Sequence, residues 1–249
     1  MTSNNTLSFS ILSSHCWVDA AYIEGKSPAS DTLLSADFNP IELKQIPAIK
    51  RRRLNGISKM AMHSSLKCLE KASVDPSSVI TVFASQHGEL NRTVSIVDDM
   101  VNNQEVSPKD FSLSVHNAAL GLFSIFNKNK HPGTSIAANT NTFGYGLIEA
   151  LNLLHRFPDC LVLLTCFDSQ VNPPFQSLQS ALHPSHSYSL LLSAPDSQQY
   201  ISMKFNKFEK RTYPELPLEL QFFNFLQNDV SSTTIRSEDT DWEFTKHAL

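Results

Sequence analysis

Short and largely apolar runs recur along this chain and alternate with stretches of helical periodicity. The six runs occupy residues 7–12, 79–84, 135–138, 161–166, 189–193 and 200–205. Runs of this length are typical of strands, several of them buried on both faces. The stretches with helical spacing of apolar residues are 57–72, 93–101, 115–126 and 143–154. Strands that alternate with helices predict an α/β layered fold with a largely parallel central sheet.

The composition allows such a fold to bury a core without disulfides or metal. The chain has 249 residues, of which 41% are hydrophobic and 18% charged, a length that suits one large domain or two small ones. The formal net charge is −4, so no basic excess favours binding to nucleic acid. Residues 1–14 contain no Lys or Arg, and no apolar run reaches the ~18 residues of a membrane span, so we expect neither a signal peptide nor an anchor.

The four cysteines form no metal or disulfide pattern. Cys16, Cys68, Cys160 and Cys166 include no C-x-x-C pair. Along a strand, Cys160 and Cys166 would lie about 20 Å apart, too far to share a metal. Reduced, mostly buried thiols are predicted, as in cytoplasmic proteins. We therefore expect a soluble cytoplasmic protein without a cofactor or a bound metal.

Two common catalytic motifs are incomplete. The nucleophile elbow G-x-S-x-G is approached at residues 56–60, but the final glycine is missing. A dinucleotide-binding loop is suggested by Gly144 and Gly146, but Glu149 stands where the third glycine is needed for close packing. A tightly packed helix start explains these glycines better.

Two polar clusters have weaker functional interpretations. His183 and His186 are separated by Pro184 and have no Cys or acidic residue near them in sequence, which favours a surface loop over a metal site. The basic cluster consists of Lys50, Arg51, Arg52 and Arg53. It is either a solvated helix entry or a docking site for an acidic partner.

The most informative segment is residues 107–154. It predicts a helix, a loop with Pro132, a strand at residues 135–138, a sharp turn and a helix from Phe143. This order resembles the nucleophile region of β-ketoacyl synthases of the thiolase superfamily, where S-I-x-T-A-C-x-S-G places a cysteine at a helix N-terminus that lowers the pKa of the thiol. Here Thr140 stands at the position of that cysteine, between Asn139 and Asn141.

The resemblance covers roughly residues 7–205. Segments that are similar to those of the family follow one another in order, at residues 50–60, 85–89, 114–118 and 161–168. The resemblance implies a thiolase-like layered fold (α/β/α), truncated to essentially the N-terminal half at residues 1–205, with a C-terminal extension at 206–249.

The extension has a different character from the rest of the chain. Phe222, Phe223 and Phe225 predict an aromatic helix, and the Ser/Thr-rich, acidic residues 231–243 are interpreted as a tail. An exposed helix with three phenylalanines is unfavourable in a free monomer. The helix therefore either folds back on this chain or meets a partner.

Departures from the family pattern bear on catalysis. An unactivated hydroxyl such as that of Thr140 has a much higher pKa than a thiol and needs an adjacent base. In the family, the His and Lys residues that would serve come from the C-terminal half, and neither E-x-H-G-T-G nor G-H-x-x-G-A-x-G occurs here. The glutamine of decarboxylating relatives is also absent from position 140. We expect no catalysis by this chain alone.

A half-length relative without the cysteine is similar to the chain length factor-like subunits of type II polyketide and aryl polyene pathways. The resemblance implies a heterodimer with a full-length ketosynthase, transient binding of acyl carrier protein at the basic cluster, and a strand that pairs across the two-fold axis. The interface and tunnel residues that we expect are Phe111, Val115, His116, Leu120, Ser135, Ile136, Ala137, Ala138 and Phe143. Two alternatives stay open: an acyltransferase or decarboxylase that uses Thr140 or a cysteine, and a scaffold that binds acyl carrier protein.

Overall fold

The described part of the chain is built on one mixed sheet of eight strands. The computed structural model describes residues 6–21, 33, 35–102, 104–179, 183–209 and 216–248. The strands are β1 (Leu7–Val18), β2 (Ile80–Ala84), β3 (Gly133–Ile136), β4 (Val162–Asp168), β5 (His186–Ser193), β6 (Gln199–Lys207), β7 (Ser232–Arg236) and β8 (Thr240–Ala248). Their order across the sheet is β3-β2-β4-β5-β1-β6-β8-β7.

Helices cover this sheet on two faces. They are α1 (Ala48–Arg51), α2 (Gly56–Lys71), α3 (Leu90–Val101), α4 (Pro108–Ser112), α5 (Ala118–Asn127), α6 (Thr142–Arg156) and α7 (Leu218–Gln227). Alternate residues of β4 enter two separate cores: Leu163 packs with α2 and α5, and Leu164 packs with α6 and α7. The six predicted strands and four predicted helices are all present, with shifted ends. None of the helices described is long and apolar enough to cross a bilayer.

The prediction of a largely parallel sheet is wrong. Only the pairings of β2 with β3 and with β4 are parallel, while the other pairings among the described strands are antiparallel. A parallel neighbour requires a long crossover connection, usually a helix. The described part of the connection from β4 to β5 contains only a short 3-10 turn at Gln176–Leu178, so β5 returns antiparallel to β4.

The aromatic helix α7 folds back on this chain. Phe222, Phe223 and Phe225 are all buried. The ring of Phe222 lies 5.2 Å from that of Phe143 in α6 and 4.7 Å from that of Phe244 in β8, measured between centroids. The α7 side chains are therefore part of the core between α6 and the sheet.

The interpretation of residues 231–243 as an acidic tail is wrong. These residues form β7 and the start of β8, and β8 pairs with β6 along its whole length, from Gln199 opposite Ala248 to Lys207 opposite Thr240. Trp242 and Phe244 are buried, whereas Glu243 between them is exposed. Of the four acidic residues, Asp241 and Glu243 lie on β8, while Glu238 and Asp239 lie in the turn between β7 and β8, where Glu238 is buried. The division of the chain at residue 205 stays a prediction, and the sheet runs without a break across it.

Replacement of a phenylalanine side chain in α7 by alanine tests whether the extension is part of this chain's core. We expect Phe222→Ala to lower the free energy of unfolding by about 3–5 kcal/mol, because it removes a fully buried ring from a close-packed cluster. Phe111→Ala is the matched control, since Phe111 is 66% exposed, and we expect a change below about 0.5 kcal/mol. The measurement is chemical denaturation followed by circular dichroism. Equal effects of the two substitutions would contradict the packing of α7 described here.

Candidate functional site

The turn between β3 and α6 presents Thr140 at a helix N-terminus. Asn139 adopts a left-handed backbone with φ of 52°, a conformation that asparagine tolerates better than most residues. The backbone N–H of Ala138 donates to Oγ1 of Thr142 at 2.9 Å, and the Thr142 hydroxyl donates to the carbonyl of Asn139 at 2.6 Å. The turn is therefore held by its own hydrogen bonds.

The space beside Thr140 is very small. A cavity of about 30 Å³ is lined by Thr140, Phe143, Asp168, His183 and Glu219, among others. That is close to the volume of one water molecule, whereas ligand pockets usually measure roughly 300–1,000 Å³. Among the described residues, no hydrogen bond joins the Thr140 hydroxyl to a base. The cavity has no room for an acyl chain.

Asp168, at the end of β4, organises the loop that follows β2. Its Oδ1 accepts from the Ser85 hydroxyl at 2.8 Å and from the His87 N–H at 3.0 Å, and its Oδ2 accepts from the Gln86 N–H at 2.8 Å. Burial raises the pKa of Asp168, and the N–H donors of His87 and Gln86 oppose the shift. With both oxygens occupied, Asp168 holds the backbone of residues 85–87.

His186 does not lie in a surface loop, so that prediction is wrong. It is fully buried at the start of β5, and its Nε2 lies 2.8 Å from Oε1 of Glu219 in α7. Glu219 is 33 residues away in sequence, which is why no acidic partner was found near His186. Burial and the adjacent His186 lower the pKa of His183 to about 3, so His183 is neutral at pH 7.

The C-terminal hairpin of β7 and β8 contacts the turn that carries Thr140. The indole N–H of Trp242 donates to Oδ1 of Asn141 at 3.0 Å, and Nδ2 of Asn141 donates to Oδ1 of Asp239 at 2.6 Å. A Cβ atom at Gly144 would overlap the indole of Trp242. Close packing thus explains this glycine, as the sequence predicted. The roles of Trp242 and Asn141 were missed, and the only available signal was the rarity of tryptophan, with two in the chain.

At the opposite end from β7, β3 is the edge strand of the sheet. The carbonyls of Pro132 and Ile136 accept from N–H groups of the β2 segment. Because the polar groups of a strand alternate in direction, the N–H and C=O of Ser135 point away from β2. The hydroxyl of Ser135 is buried and has no hydrogen-bond partner among the described residues. The sheet therefore ends on an uncovered ladder of backbone groups.

The comparisons with known proteins decide the family. The model of the family described as "Beta-ketoacyl synthase, N-terminal domain" matches residues 26–245. The chain belongs to this family. None of the curated proteins compared matches the chain by sequence.

Solved structures agree on the fold. A chain of the complex "Ketosynthase (ApeO) in Complex with its Chain Length Factor (ApeC) from Xenorhabdus doucetiae" is similar with a TM-score of 0.76 and 23% identity, over 96% of this chain and 99% of that one. The structure titled "The ishigamide ketosynthase/chain length factor" is similar with a TM-score of 0.59 and 13% identity, over 81% of this chain and 67% of that one. A β-ketoacyl synthase from Burkholderia phymatum STM815 is similar with a TM-score of 0.55 and 11% identity, over 78% of this chain and 58% of that one. These likenesses show that the chain shares the layered α/β fold of these structures.

The predicted interface residues of this β-ketoacyl synthase relative fall into three groups. Phe111 and Val115, in and after α4, are 66% and 51% exposed. Ser135, Ile136, Ala137 and Ala138 lie at the open edge, half-buried or exposed. His116 is half-buried, and its Nε2 lies 2.8 Å from the carbonyl oxygen of Ser85. The first two groups are accessible on the surface.

Leu120 and Phe143 need a correction, since both are buried inside this chain. Leu120 belongs to the core under α2 and α5, and Phe143 belongs to the core under α6 and α7. The sequence pattern marks a residue as apolar but does not say which side of the sheet it faces. These two side chains can influence a neighbouring subunit only through the packing of their own helices.

The sequence did not single out an exposed apolar stripe on α3. Val97, Met100 and Val101 are 53%, 62% and 73% exposed. Helix α3 packs beside α4, and an ion pair between Arg92 and Asp110 joins the two helices. The spacing of the three residues was a detectable signal, but such a stripe usually marks the core face of a helix.

The basic cluster is only partly free. Lys50 lies over the ring of Phe126 at 5.4 Å from its centroid, and Arg51 donates to the carbonyl of Glu42 at 3.2 Å. Arg52 and Arg53 are exposed. Two of the four cations therefore have their side chains at the surface.

Possible metal ligands do not converge at this site. Within the described ranges, three such side chains come together only at His15, Asp37 and His63, beside a different pocket.

The buried His186–Glu219 pair predicts a pH-dependent stability. Burial by itself lowers the pKa of His186 and raises that of Glu219, but their hydrogen bond and opposite charges outweigh burial and shift both pKa values the other way. His186 then stabilises the fold fully below its ordinary pKa of 6.5, and this contribution is lost as the pH rises through the raised value. Glu219 stabilises the fold at pH values above its ordinary pKa of 4.5.

We expect Glu219→Gln to lower the free energy of unfolding by about 1.5–3 kcal/mol at pH 6. The difference from the wild type should shrink as the pH rises from 6 to 9, because His186 then loses its charge in the wild type as well. Urea denaturation at several pH values measures it. The control is Glu70→Gln, on an exposed carboxylate, whose effect should stay constant over this range. A Glu219→Gln effect that grows toward pH 9 would contradict this assignment.

Proposed function

We propose that this chain is a non-catalytic chain length factor subunit. In this proposal it forms a heterodimer with a full-length, Cys-bearing ketosynthase in the cytoplasm and shapes the acyl tunnel during elongation on acyl carrier protein, in polyene, polyketide or fatty-acid-like synthesis. The observation that carries the proposal is the cavity beside Thr140, which measures about 30 Å³ and contains no thiol. A chain that keeps the fold but has no space for substrate at the nucleophile position is suited to a supporting role.

The cysteines of the chain give no support to an independent enzyme. Cys16 and Cys166 are fully buried, and burial raises their pKa values well above the usual range. Burial also raises the pKa of Cys68 to about 11. These thiols are protonated at neutral pH, whereas a nucleophilic cysteine needs the thiolate. The alternative of an acyltransferase that uses one of these three cysteines is therefore disfavoured.

The open edge at β3 supports a partner that adds a strand. Exposed sheet edges favour pairing with another chain, and native proteins normally cover, shorten or charge them. Here Gly133 is exposed, the segment contains no charge, and the backbone groups of Ser135 point outward. A ketosynthase edge strand placed there would continue one sheet through both subunits.

The apolar surface of α3 and α4 supports a partner of substantial size. Val97, Met100, Val101, Phe111 and Val115 are all more than half exposed, although α3 and α4 are packed against each other. Large exposed apolar surface on a soluble domain usually marks an interaction site. In our proposal these side chains meet the ketosynthase, and Phe111 and Val115 limit the length of its acyl tunnel by their bulk. Arg52 and Arg53 remain available to an acidic carrier protein.

Proline substitution at the edge tests the heterodimer. Ser135→Pro removes an outward N–H but leaves the hydrogen bonds to β2 intact, so the chain itself should fold as before. We expect about a tenfold or larger loss of affinity for the full-length ketosynthase, measured by co-purification and by biolayer interferometry. Ser135→Ala keeps the N–H and serves as the control, with affinity within about twofold of the wild type. Undiminished binding by the proline variant would contradict strand pairing at β3.

A second experiment tests the absence of catalysis. Thr140→Ala should change the condensation rate of the complex by less than about twofold, because the proposal gives this hydroxyl no chemical role. The assay is condensation of acyl and malonyl groups on acyl carrier protein, with each subunit alone and with both. Malonyl decarboxylation by this chain alone, lost in the Thr140→Ala variant, would instead establish an independent enzyme.

A further inference from the structure

Three possible metal ligands meet at a point far from Thr140 in the fold. His15 comes from β1, Asp37 from the connection that follows β1, and His63 from the middle of α2. Oδ2 of Asp37 lies 3.2 Å from Nε2 of His15 and 3.2 Å from Nε2 of His63. All three ligand atoms lie within 4.8 Å of one another. Both histidines are buried, and Asp37 is partly buried.

The spacing fits a tetrahedral transition-metal site. Nitrogen and oxygen ligands lie about 2.0–2.1 Å from zinc, so two ligands of one tetrahedral zinc ion are about 3.3–3.4 Å apart. The distances from Oδ2 of Asp37 to Nε2 of His15 and to Nε2 of His63, 3.2 Å each, are close to this ligand-to-ligand distance. Two imidazoles and one carboxylate form a donor set that suits zinc and related metals, and not magnesium or calcium, which prefer oxygen.

Burial and hydrogen bonds set the charge states of His15 and Asp37. Burial and the nearby His63 lower the pKa of His15 to about 4, so its ring is neutral at pH 7. Burial acts to raise the pKa of Asp37, but hydrogen bonds from the backbone and side chain of Asn39 and from His63 outweigh it and bring the pKa to about 2.

The surroundings provide orientation for the ligands and access for an ion. Oδ1 of Asp37 accepts from the Asn39 backbone N–H at 2.9 Å and from its side-chain amide at 2.7 Å, which leaves Oδ2 directed at the histidines. Nδ1 of His15 is buried without a partner among the described residues. The group lines an open pocket of about 760 Å³, which offers an entry path and space for a fourth ligand.

Three cations on the same pocket, Lys44, Lys67 and Lys71, act on its electrostatics, and Lys44 is paired with Glu42. Lys67 and Lys71 both line it, and Lys71 donates to the carbonyl of Ser14 at 2.9 Å. Lys67 is paired with Glu70, and Glu42 also lines the pocket. The lysines weaken the attraction of the pocket for a free cation. Once a metal is bound, they favour water in its hydroxide form, or another small anion, as the fourth ligand.

We propose that His15, Asp37 and His63 form a zinc-class metal site with three protein ligands and one open position. The bound ion would add a link to α2 for a segment that backbone hydrogen bonds of Asp37 with Cys16 and Val18 already join to β1. The role is structural, and it is independent of the proposed chain length factor function. The pocket at these ligands shares no lining residue with the cavity beside Thr140.

Metal binding is tested on the full chain, purified alone or with its partner after treatment with a chelator. We expect one zinc ion per chain by mass spectrometry of the metal content. We also expect a cobalt(II) derivative with the visible absorption bands of a tetrahedral or five-coordinate site. At a zinc concentration of about 100 times the Kd, Tm should rise by about 5–10 °C. Magnesium should give no shift.

Two variants locate the site. His63→Gln and Asp37→Asn should each weaken zinc binding at least tenfold and abolish the cobalt bands, and circular dichroism checks that each variant folds. The matched control is His155→Gln, on an exposed histidine at the end of α6, which should bind zinc like the wild type. A wild-type chain without cobalt bands overturns the proposal, and so does zinc binding that both ligand variants retain.

Discussion

The packing of the C-terminal segment over the start of α6 is the constraint on which the rest of this structure depends. Trp242 lies against Gly144, where no side chain would fit, and Phe222 lies between Phe143 and Phe244. Buried aromatic rings contribute large apolar areas, and a glycine at the contact lets two elements approach closely. Both the position of α6 and the turn that carries Thr140 are set by this contact.

The same packing makes the two ends of the sheet unequal. At one end, β8 and β7 extend the sheet, while α7 covers its face and pairs Glu219 with the buried His186. At the other end, no further strand among the described residues pairs with β3 on the side to which the backbone groups of Ser135 point. The C-terminal extension thus packs on this chain beside Thr140, and the β3 edge of the sheet stays open among the described residues.

Much of the fold and part of the site could be predicted from local patterns. Helix α2, the strands β2 and β4, and the buried reduced cysteines follow from residue type and periodicity, which act over a few residues. Strand direction could not be predicted in this way, because it depends on the path of the connection between β4 and β5. The strand β8 was mistaken for a tail because its acidic composition was given more weight than its alternation of Trp242 and Phe244 with charged neighbours.

Long-range contacts account for the remaining errors. His186 was expected in a surface loop because its partner Glu219 is 33 residues away, and Leu120 and Phe143 were expected at an interface although the cores of this chain enclose them. His15, Asp37 and His63 carry no motif in the sequence, since the second is 22 residues from the first and 26 from the third. Only the folded chain brings them within ligand distance.

The sequence by itself determined most of the secondary structure elements and the resemblance to β-ketoacyl synthases, which implies that Thr140 stands at the position of that family's cysteine. These are properties of single residues and of their nearest neighbours along the chain. The tertiary structure alone decided that the extension closes the cavity beside Thr140, that β3 is the edge of the sheet in the described part of the chain, and that two histidines and an aspartate converge. Those outcomes depend on which distant segments pack together, and packing is set by the burial of apolar surface over the whole chain.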